Sequence, residues 1–340
     1  MKGLSLFNKI ALKINIFFIF LLLAACAVPH ISFEHLSFLS FLSLTVPVLV
    51  GLNLFFFLYW AFQRKKQMTY SLFILLFGYF TLGTFIKLEF GEKNSLKEDL
   101  KVMSYNVRGF DKWGLGGLPN AFNDIKSLVA KEKPDIISFQ EVGYDMEGDF
   151  LDYPYHYLKK IKGGKKVHLG IFSKYPIIKT ETIHFPNSQN NGSYADIVYK
   201  DDTLRFYNLH MQGLGVSPGT GVLRSKSPYW LFRRVTKAFK WQLWQAKMIA
   251  DHKILSPYKT ILCGDFNNTQ FSNVYHILKG DMFDTFIEQG AGLGRTFDFL
   301  SIPFRIDFIF ADEAFEIISH KNYDVKYSDH FPIMASFRLK

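Results

Sequence analysis

Three long apolar segments occupy the first 90 of the 340 residues, and they constrain the fold more than any other feature of the sequence. They run over about residues 10–31, 36–62 and 68–86, and the second and third contain no charged residue. A helix that crosses the hydrocarbon of a bilayer needs roughly 20 mostly apolar residues. The sequence therefore predicts three transmembrane helices in a membrane anchor formed by residues 1–90.

Basic residues around these segments predict the orientation of the anchor. Lys2, Lys9 and Lys13 lie before or at the start of the first segment. Arg64, Lys65 and Lys66 lie between the second and the third. The loop between the first and second segments carries no lysine or arginine. Because cytoplasmic loops are enriched in these residues, we expect the amino terminus and the loop at residues 63–67 to be cytoplasmic. Three crossings then place everything after about residue 88 on the extracytoplasmic side of a multi-pass cell-membrane protein.

The two cysteines, Cys26 and Cys263, predict no disulfide framework. Cys26 ends the run Leu23–Cys26, which is similar to the cleavage site of a bacterial lipoprotein signal. A transmembrane helix that contains a cysteine is the favoured interpretation, because two further apolar segments make a lipid anchor unnecessary. Whether Cys26 is lipidated stays open, and both interpretations leave the rest of the chain on the same side of the membrane.

Outside the anchor the chain is only mildly basic. The formal net charge of +10 is divided equally between residues 1–98 and residues 99–340. Residues 91–99 are predicted to be a polar linker, and residues 100–340 a separate domain. The apolar segments lack the buried ionisable residues that functional pores carry. This pattern argues against a channel and points to the C-terminal domain as the part with a chemical function.

Short apolar strands in this domain repeatedly end on polar residues. The run over residues 258–263 predicts a buried strand that Gly264 breaks. Asp265 and Asn267 follow directly. Residues two apart in extended backbone point to the same side, so this carboxylate and this amide are expected to leave the end of the strand together.

Polar residues stand in similar places in strands predicted over residues 101–107, 135–142, 204–211 and 304–310, and before a last strand over residues 333–339. They are Asn106, Glu141, His210, Asp307, Asp329 and His330. With Asp265 and Asn267 they make four carboxylates, two amides and two imidazoles. Such an oxygen-rich set suits hard cations, Mg²⁺ or Mn²⁺, rather than zinc. A metal combined with imidazoles and amides suits hydrolysis of a phosphate ester.

Apolar residues at helical spacing predict helices over about residues 120–133, 241–255 and 272–278. Residues 212–240 form a long insertion rich in glycine and basic residues. No acidic residue occurs between Thr203 and Ala250, and the lysines and arginines there are interleaved with tryptophan, tyrosine and phenylalanine. This composition predicts a surface for phosphate-bearing partners, either lipid head groups or nucleic acid. A tether beside a bilayer favours contact with the membrane.

Six short motifs within residues 100–340 resemble those of one known family. They are Ser104–Arg108, Gln140–Val142, Asn208–His210, Gly264–Asn267, Arg305–Phe310 and Ser328–His330. In this order they are similar to the endonuclease/exonuclease/phosphatase superfamily, which includes deoxyribonuclease I, abasic-site endonucleases, bacterial sphingomyelinases and inositol-polyphosphate phosphatases. The resemblance implies an α/β fold, a four-layer sandwich of two mixed β-sheets flanked by helices. The segment over residues 169–177 also resembles a core strand of that family.

The resemblance implies a role for each polar residue of the motifs. Glu141 is expected to be the main ligand of Mg²⁺ or Mn²⁺, with Asn106 and Asp329 beside it. The remaining five residues are expected to be catalytic.

Within that catalytic group, Asp265 orients or deprotonates the attacking water, and Asn267 and His210 hold the scissile phosphate. His330 contacts the same phosphate, and Asp307 fixes its tautomer and charge. Which of Asp265 and His330 is the general base stays open.

These expectations combine into a membrane-anchored, divalent-metal-dependent hydrolase of phosphate esters, of the phosphodiesterase or endonuclease kind. The alternatives are a phospholipid head-group hydrolase similar to sphingomyelinases, and a non-catalytic phosphate-binding domain on a membrane anchor. Arg108 stands where abasic-site enzymes tend to carry an acidic residue, which argues against a role in DNA repair. The expected partners are the membrane and a phosphate-ester substrate, nucleic acid or phospholipid, and no protein partner is predicted.

Overall fold

The structure is a computed structural model that describes residues 4–31, 34–87, 96, 98–111, 117–143, 150–158, 168–216, 225–299 and 302–340. Most of the predicted linker over residues 91–99 lies outside these ranges. The described part consists of a bundle of apolar helices followed by two β-sheets with helices on their outer faces.

Three helices form the bundle: α1 (Leu6–Ala27), α2 (Phe41–Phe62) and α3 (Met68–Leu82). Two segments of the described chain, Leu6–His30 and Leu36–Phe62, are helical, long enough and apolar enough to cross a membrane. The third predicted span, residues 68–86, contains a helix of only 15 residues. It ends at Leu82 because Gly83 has a φ of 82°, a backbone conformation that stops an α-helix.

A buried polar contact ties the three helices of the bundle together. Asn15 of α1 donates from Nδ2 to Oγ of Ser71 on α3 at 2.9 Å, and it accepts from Nε1 of Trp60 on α2 at 3.0 Å. All three side chains are fully buried. The outer surface of the bundle is instead strongly apolar, with side chains such as Phe62 and Phe80 exposed by 92% and 80%.

Two six-stranded mixed sheets follow, and the predicted pair of mixed sheets flanked by helices is confirmed. The first has the order β13-β14-β1-β2-β4-β3 and the second the order β5-β6-β7-β8-β12-β9. The strands are β1 (Leu100–Asn106), β2 (Ile136–Gln140), β3 (Tyr155–Leu158), β4 (Leu169–Ser173), β5 (Ile177–His184), β6 (Asn191–Tyr199), β7 (Asp202–His210), β8 (Lys259–Asp265), β9 (Phe283–Asp284), β10 (Phe297–Phe299), β11 (Ile302–Phe304), β12 (Asp307–Ala311), β13 (Phe315–Asn322) and β14 (Ile333–Leu339). Strands β10 and β11 pair separately as a hairpin.

Within the described ranges, four α-helices accompany the sheets: α4 (Ala121–Glu132), α5 (Pro228–Ile254), α6 (Asn273–Lys279) and α7 (Thr285–Gln289). Each sheet contains one parallel pair, β1 with β2 and β7 with β8. A chain that joins parallel strands must cross over the sheet, and α4 and α5 make these two crossovers. The parallel pairing aligns strand ends, with Asn106 opposite Gln140 and His210 opposite Asp265. The fully buried core between the sheets includes Ile136, Ile171, Phe206, Ile261 and Phe337.

Several boundaries differ from the prediction. Helix α5 begins at Pro228 instead of Trp241, because Ser227 caps its first turn by accepting from the Trp230 backbone and Pro228 suits the first helical position. Half of the predicted insertion is therefore helix. Gly264 does not break the strand, since β8 continues through it to Asp265. Strand β12 begins at Asp307, so this residue opens the strand and does not lie within it.

The helical bundle packs against the loop that follows β8 and against the start of α6. Phe271 from that loop is buried among apolar residues of all three helices of the bundle, and its ring lies 4.9 Å from that of Phe85. Thr269 donates to the carbonyl of Ser43 at 3.1 Å. Asn273 donates to the carbonyl of Ile31 at 2.6 Å. The bundle and the two-sheet unit are thus joined by buried contacts.

Candidate active site

Asp265 lies at the centre of a polar cluster between the ends of the two sheets. It is the last residue of β8, and its side chain is 1% exposed. Gly264 before it has a φ of 137°, and a Cβ there would collide with the carbonyl oxygen of Leu209 on β7. Only glycine allows this close approach of the two strands. The approach sets His210, at the end of β7, beside Asp265.

Four nitrogen-bearing side chains converge on one oxygen of this carboxylate, Oδ2 of Asp265. Nδ2 of Asn106 lies at 3.0 Å and Nδ2 of Asn267 at 3.2 Å, both as hydrogen-bond donors. Nε2 of His210 lies at 3.4 Å and Nε2 of His330 at 3.7 Å. The other oxygen, Oδ1, accepts from the Asn267 backbone at 2.8 Å. Side chains from both sheets therefore meet at a single point.

Glu141 and Asp329 form the accessible rim of the cluster. Oε1 of Glu141 accepts from Asn106 at 3.2 Å and lies 3.7 Å from Nε2 of His210. Its side chain keeps 35% of its surface exposed, and that of Asp329 keeps 38%. Nε of Arg108 lies 3.6 Å from Oδ2 of Asp329. A ligand can thus reach these two carboxylates from solvent, while Asp265 is the floor behind them.

Asp307 holds His330 in one orientation. Nδ1 of His330 donates to Oδ2 of Asp307 at 2.9 Å, and both side chains are buried. This bond leaves Nε2 of His330 directed at Asp265. Thr296 fixes the start of β12 by accepting from the backbones of Ile306 and Asp307. The ring of Phe297 lies 4.9 Å from that of His330 and covers it on one side.

Burial and nearby charges give His330 and His210 different protonation states. Burial would lower the pKa of His330, but Asp307 and Asp265 outweigh it and raise that pKa well above its ordinary value. Burial lowers the pKa of His210, and the charge of Asp265 only partly offsets this. At neutral pH His330 is therefore a cation and His210 is neutral.

Burial also raises the pKa of two carboxyl groups, those of Asp265 and Glu141. It raises the pKa of Asp265, which the nearby histidines reduce only in part. It raises the pKa of Glu141 as well, against the hydrogen bond from Asn106. A cluster that holds carboxylates this close is costly unless a cation or hydrogen bonds stabilise their charge.

The oxygen atoms at the rim fit a divalent cation better than the buried groups do. Asp265, Asp307 and His330 offer ligand atoms within 4.8 Å of one another. His330 already donates to Asp307, however. This trio is therefore a hydrogen-bonded pair beside a third residue, Asp265, and not a set of free metal ligands. Glu141 and Asp329 are accessible carboxylates, and hard cations such as Mg²⁺ prefer oxygen ligands with room for water. The residues present fit a hard divalent ion at the rim.

The structure brings together all eight residues singled out in the sequence, and it adds others. Oγ of Ser328 donates to the carbonyl of Asn106 at 2.9 Å and lies 3.2 Å from Oδ1 of Asp329. Ser328 was part of a recognised motif and could have been assigned from it. Thr296 and Gln242 had no such signal, because they act on backbone groups remote in sequence.

Gln242 of α5 holds the loops on either side of the cluster. Its Nε2 donates to the carbonyl of Gln212 at 2.6 Å and to that of Asn267 at 3.1 Å. Its Oε1 accepts from Nδ2 of Asn268 at 2.9 Å. Gln242 and Asn268 are buried, so the loop that carries Asn267 is fixed from behind.

Residues 103–330 match the model of the Endonuclease/Exonuclease/phosphatase family. The match spans well over half of the chain and includes every residue of the cluster. The chain belongs to the endonuclease/exonuclease/phosphatase family. Residues 8–85 match a second model, described as a domain of unknown function (DUF8431). No curated protein matches the sequence.

Solved structures of this family share the fold of the two-sheet unit. An endonuclease/exonuclease/phosphatase family protein from Bacteroides thetaiotaomicron is 22% identical, with a TM-score of 0.55 over 71% of this chain and 98% of that one. A mannosyl-6-phosphatase from the same organism is 21% identical, with a TM-score of 0.51 over 71% and 100%. TDP2 from D. rerio, solved with a single strand DNA product, is 17% identical, with a TM-score of 0.53 over 71% and 99%. The chain is thus similar in fold to a mannosyl-6-phosphatase and to a protein solved with a single strand DNA product.

Proposed function

We propose that this protein is a membrane-anchored, divalent-metal-dependent hydrolase of phosphate esters. The observation that carries the proposal is the convergence of Asn106, His210, Asn267 and His330 on Oδ2 of Asp265, with Glu141 at the open side. Donors that surround a carboxylate in this way can surround a phosphoryl group next to it. The neighbours of known fold include a mannosyl-6-phosphatase and a DNA-bound TDP2.

In the proposed mechanism Glu141 and Asp329 would hold the cation, with Asn106 beside them. The ion, Mg²⁺ or Mn²⁺, supplies positive charge next to the phosphoryl oxygens when bound. His330 supplies a second positive charge, because Asp307 keeps it protonated and directs its Nε2 into the cluster. Neutral His210 and the Asn267 amide donate hydrogen bonds to the same phosphoryl group.

We assign the role of general base to Asp265. Its pKa is raised by burial, and a base with a pKa closer to neutrality accepts a proton from water more readily. Its Oδ1 is held by the Asn267 backbone, so Oδ2 is kept in a fixed position for an attacking water. The charge already carried by His330 makes that residue a poor base, which favours Asp265 between the two candidates.

The helical bundle supports the membrane part of the proposal. The ends of α1, α2 and α3 that pack on Phe271 are the C-terminal, N-terminal and C-terminal ends respectively. The opposite end of the bundle carries the basic loop at residues 64–66. By the positive-inside rule that end is cytoplasmic, which puts the two-sheet unit outside. Exposed apolar side chains around the bundle suit contact with lipid.

A phospholipid head group is the second candidate substrate, because the loop that carries Asn267 is seated on the bundle. The first half of α5 also presents exposed Tyr229, Trp230 and Phe232 together with Arg233 and Lys237. Aromatic and basic side chains on one helix are typical of a segment that lies at a membrane surface. A substrate in the outer leaflet would then meet the candidate active site without leaving the bilayer.

The test is hydrolysis by the full chain in lipid nanodiscs. A panel of phosphate mono- and diesters, including plasmid DNA and phospholipids, is assayed with EDTA and then with Mg²⁺ or Mn²⁺. We expect hydrolysis of at least one class that EDTA abolishes and that Glu141→Gln lowers by about 10³-fold, in the range for loss of a group that stabilises transition-state charge. Glu313→Gln, a substitution of a carboxylate outside the cluster, is the control. Activity that survives EDTA or Glu141→Gln would contradict the proposal.

A further inference from the structure

A polar cavity of about 270 Å³ lies beside the candidate active site, between α5 and the loops that precede β6 and follow β7. Amide side chains line one wall, among them Asn187, Asn190 and Gln212. Arg234, Lys237 and Trp241 of α5 line the other. Its volume is below the range of roughly 300–1,000 Å³ that holds a whole drug-sized ligand. The cavity therefore suits one charged group of a larger molecule.

The two cations in the wall are available to a ligand. No ion pair found among the described residues includes Arg234 or Lys237, and neither α5 nor the chain from Thr203 to its start supplies an acidic residue before Asp251. The ammonium of Lys237 lies 5.2 Å from the centre of the Trp241 ring, which holds it at the cavity. Two cations and several amide donors make an environment for an anion with many acceptor oxygens.

The cavity and the catalytic cluster both adjoin the loop over residues 211–216. A Cβ placed on Gly213 would lie 3.7 Å from Oδ1 of Asn267. Two residues later, Gly215 has a φ of 68°, and a Cβ there would collide with the Arg234 guanidinium. Two residues of chain span at most about 7 Å, so Arg234 and Asn267 lie at the two ends of one short loop segment.

The loop itself is fixed between the two sites. Nδ2 of Asn190 donates to the carbonyl of Met211 at 2.6 Å, and that carbonyl also accepts from Nδ2 of Asn267 at 3.1 Å. Oε1 of Gln212 accepts from Ser188 at 2.8 Å, and Gln242 holds its carbonyl. The cavity and the catalytic cluster thus share a common wall that is held by hydrogen bonds on both sides.

We propose that this cavity is a second phosphate-binding site, which recognises a phosphate group of the substrate other than the one that is cleaved. Arg234 and Lys237 bind its oxygens, and the amide wall completes the shell. The inference rests on the proposed function in taking a phosphate ester as the substrate. It specifies that function further: preferred substrates carry two phosphates on one small scaffold, as a phosphorylated polyol or its lipid-linked form does.

Binding by the full chain in detergent tests the proposal without any need for turnover. Isothermal titration compares inositol 1,4-bisphosphate with inositol 1-phosphate in the presence of Mg²⁺. A charge-assisted contact to phosphate is worth enough to change affinity by about tenfold or more. We expect the bisphosphate to bind at least about tenfold more tightly, and Arg234→Gln or Lys237→Gln to reduce that advantage to less than about threefold. Lys126→Gln, which makes the same charge change on α4 beside Phe122 and outside the cavity, is the control.

Equal affinity of the wild-type chain for the two inositol phosphates and also for the two lipids of a second arm, or an advantage that Arg234→Gln and Lys237→Gln leave intact, would overturn the inference. This second arm uses phosphatidylcholine nanodiscs with phosphatidylinositol 4-phosphate or phosphatidylinositol as the added lipid. A preference confined to this arm assigns the site to a lipid head group, and a preference in the first arm assigns it to a soluble ester. Absence of hydrolysis together with an intact binding preference would contradict the proposed function but leave the second phosphate-binding site standing.

Discussion

His320 and His276 are held neutral by burial, each remote from the catalytic cluster. Burial lowers the pKa of His320 to about 4, with the charge of Asp284 opposing it only in part. Nδ1 of His320 lies 2.8 Å from Oγ1 of Thr285, which itself donates to the carbonyl of Ile309. The imidazole is therefore the donor to Thr285 through Nδ1.

This arrangement predicts a loss of stability in weak acid. In the unfolded chain the pKa of histidine is about 6.5, so the unfolded state takes up the proton first. The contribution of neutral His320 is complete above that pH and is lost as the pH falls toward 4. At pH 5 the loss amounts to roughly 2 kcal/mol for one such group. We expect His320→Asn, whose amide can donate to Thr285, to show a smaller fall in Tm between pH 7.5 and pH 5 than the wild type.

Four residues of the candidate site could be predicted because each stands at or directly after the end of a strand, namely Asn106, Glu141, His210 and Asp265. Asn106, Glu141 and Asp265 follow apolar runs whose period and length are readable without a structure. Thr296 could not be found in this way, since it lies in a loop and acts by accepting from the backbone of Asp307. The assignment of protonation also needed coordinates, because burial and the distance to Asp307 decide it.

At the scale of elements, the pairing of β7 with β8 positions the residues of the catalytic cluster. The carbonyl of Asp265 accepts from the Met211 backbone at 2.9 Å, so the ends of the two strands stay together. Gly264 permits this contact, and its φ of 137° lies in a region that residues with a side chain rarely adopt. The sequence predicts a strand broken at Gly264, and the structure continues the strand through it to Asp265. The periodic pattern does end there, but the close strand approach is a tertiary contact that no local pattern encodes.

Replacement of that glycine is expected to damage both stability and activity. Gly264→Ala brings a Cβ against the Leu209 backbone and strains the φ angle, at a combined cost of about 3 kcal/mol or more. The strands must separate, which moves His210 away from Asp265. Gly51→Ala is the control, because a Cβ on Gly51 meets nothing within 4 Å. Thermal unfolding should show a lower Tm for Gly264→Ala alone, and an unchanged Tm would contradict this account of the glycine.

The remaining elements were predictable where an amphipathic period or an apolar run was present, as in α4 and β14. Helix α5 was predicted at half its length, because its first half alternates basic and aromatic residues with few apolar ones. The structure extends it through the cap at Ser227 and through burial of Ala238 and Phe239. The third apolar segment was overestimated because hydropathy continues past Gly83, while the backbone does not continue as a helix.

At the scale of the whole molecule, a buried polar chain runs from the bundle to the catalytic cluster. Oγ of Ser43 on α2 donates to Oδ1 of Asn268 at 3.2 Å. Asn268 donates to Gln242, which donates to the carbonyl of Asn267. The bundle therefore does more than tether the two-sheet unit, because it fixes the loop that presents a residue of the cluster.

We expect Asn268→Ala to lower kcat by about tenfold while KM changes little, since the loop around Asn267 loses a buried hydrogen bond that is worth about 1–3 kcal/mol when its partner is left unsatisfied. Asn273→Ala is the matched control. It removes another buried asparagine in contact with the bundle, through the Ile31 carbonyl, but one without a link to Gln242. It should lower Tm and leave kcat within about twofold of the wild type. Equal losses of kcat in the two variants would show that docking as a whole, and not this polar chain, matters.

The most direct test of the central idea is a double-mutant cycle between Glu141 at the rim of the cluster and the buried His330. Metal-dependent phosphate-ester hydrolysis is measured for the wild type, Glu141→Ala, His330→Ala and the double variant, all as full chains in nanodiscs. Residues that act as one unit give losses that do not multiply. We predict that each single change lowers kcat/KM by about 10³-fold and that the double variant is no more than about tenfold slower than either. Losses that multiply, or single variants that retain most of their activity, would contradict the convergence of these residues in one catalytic centre.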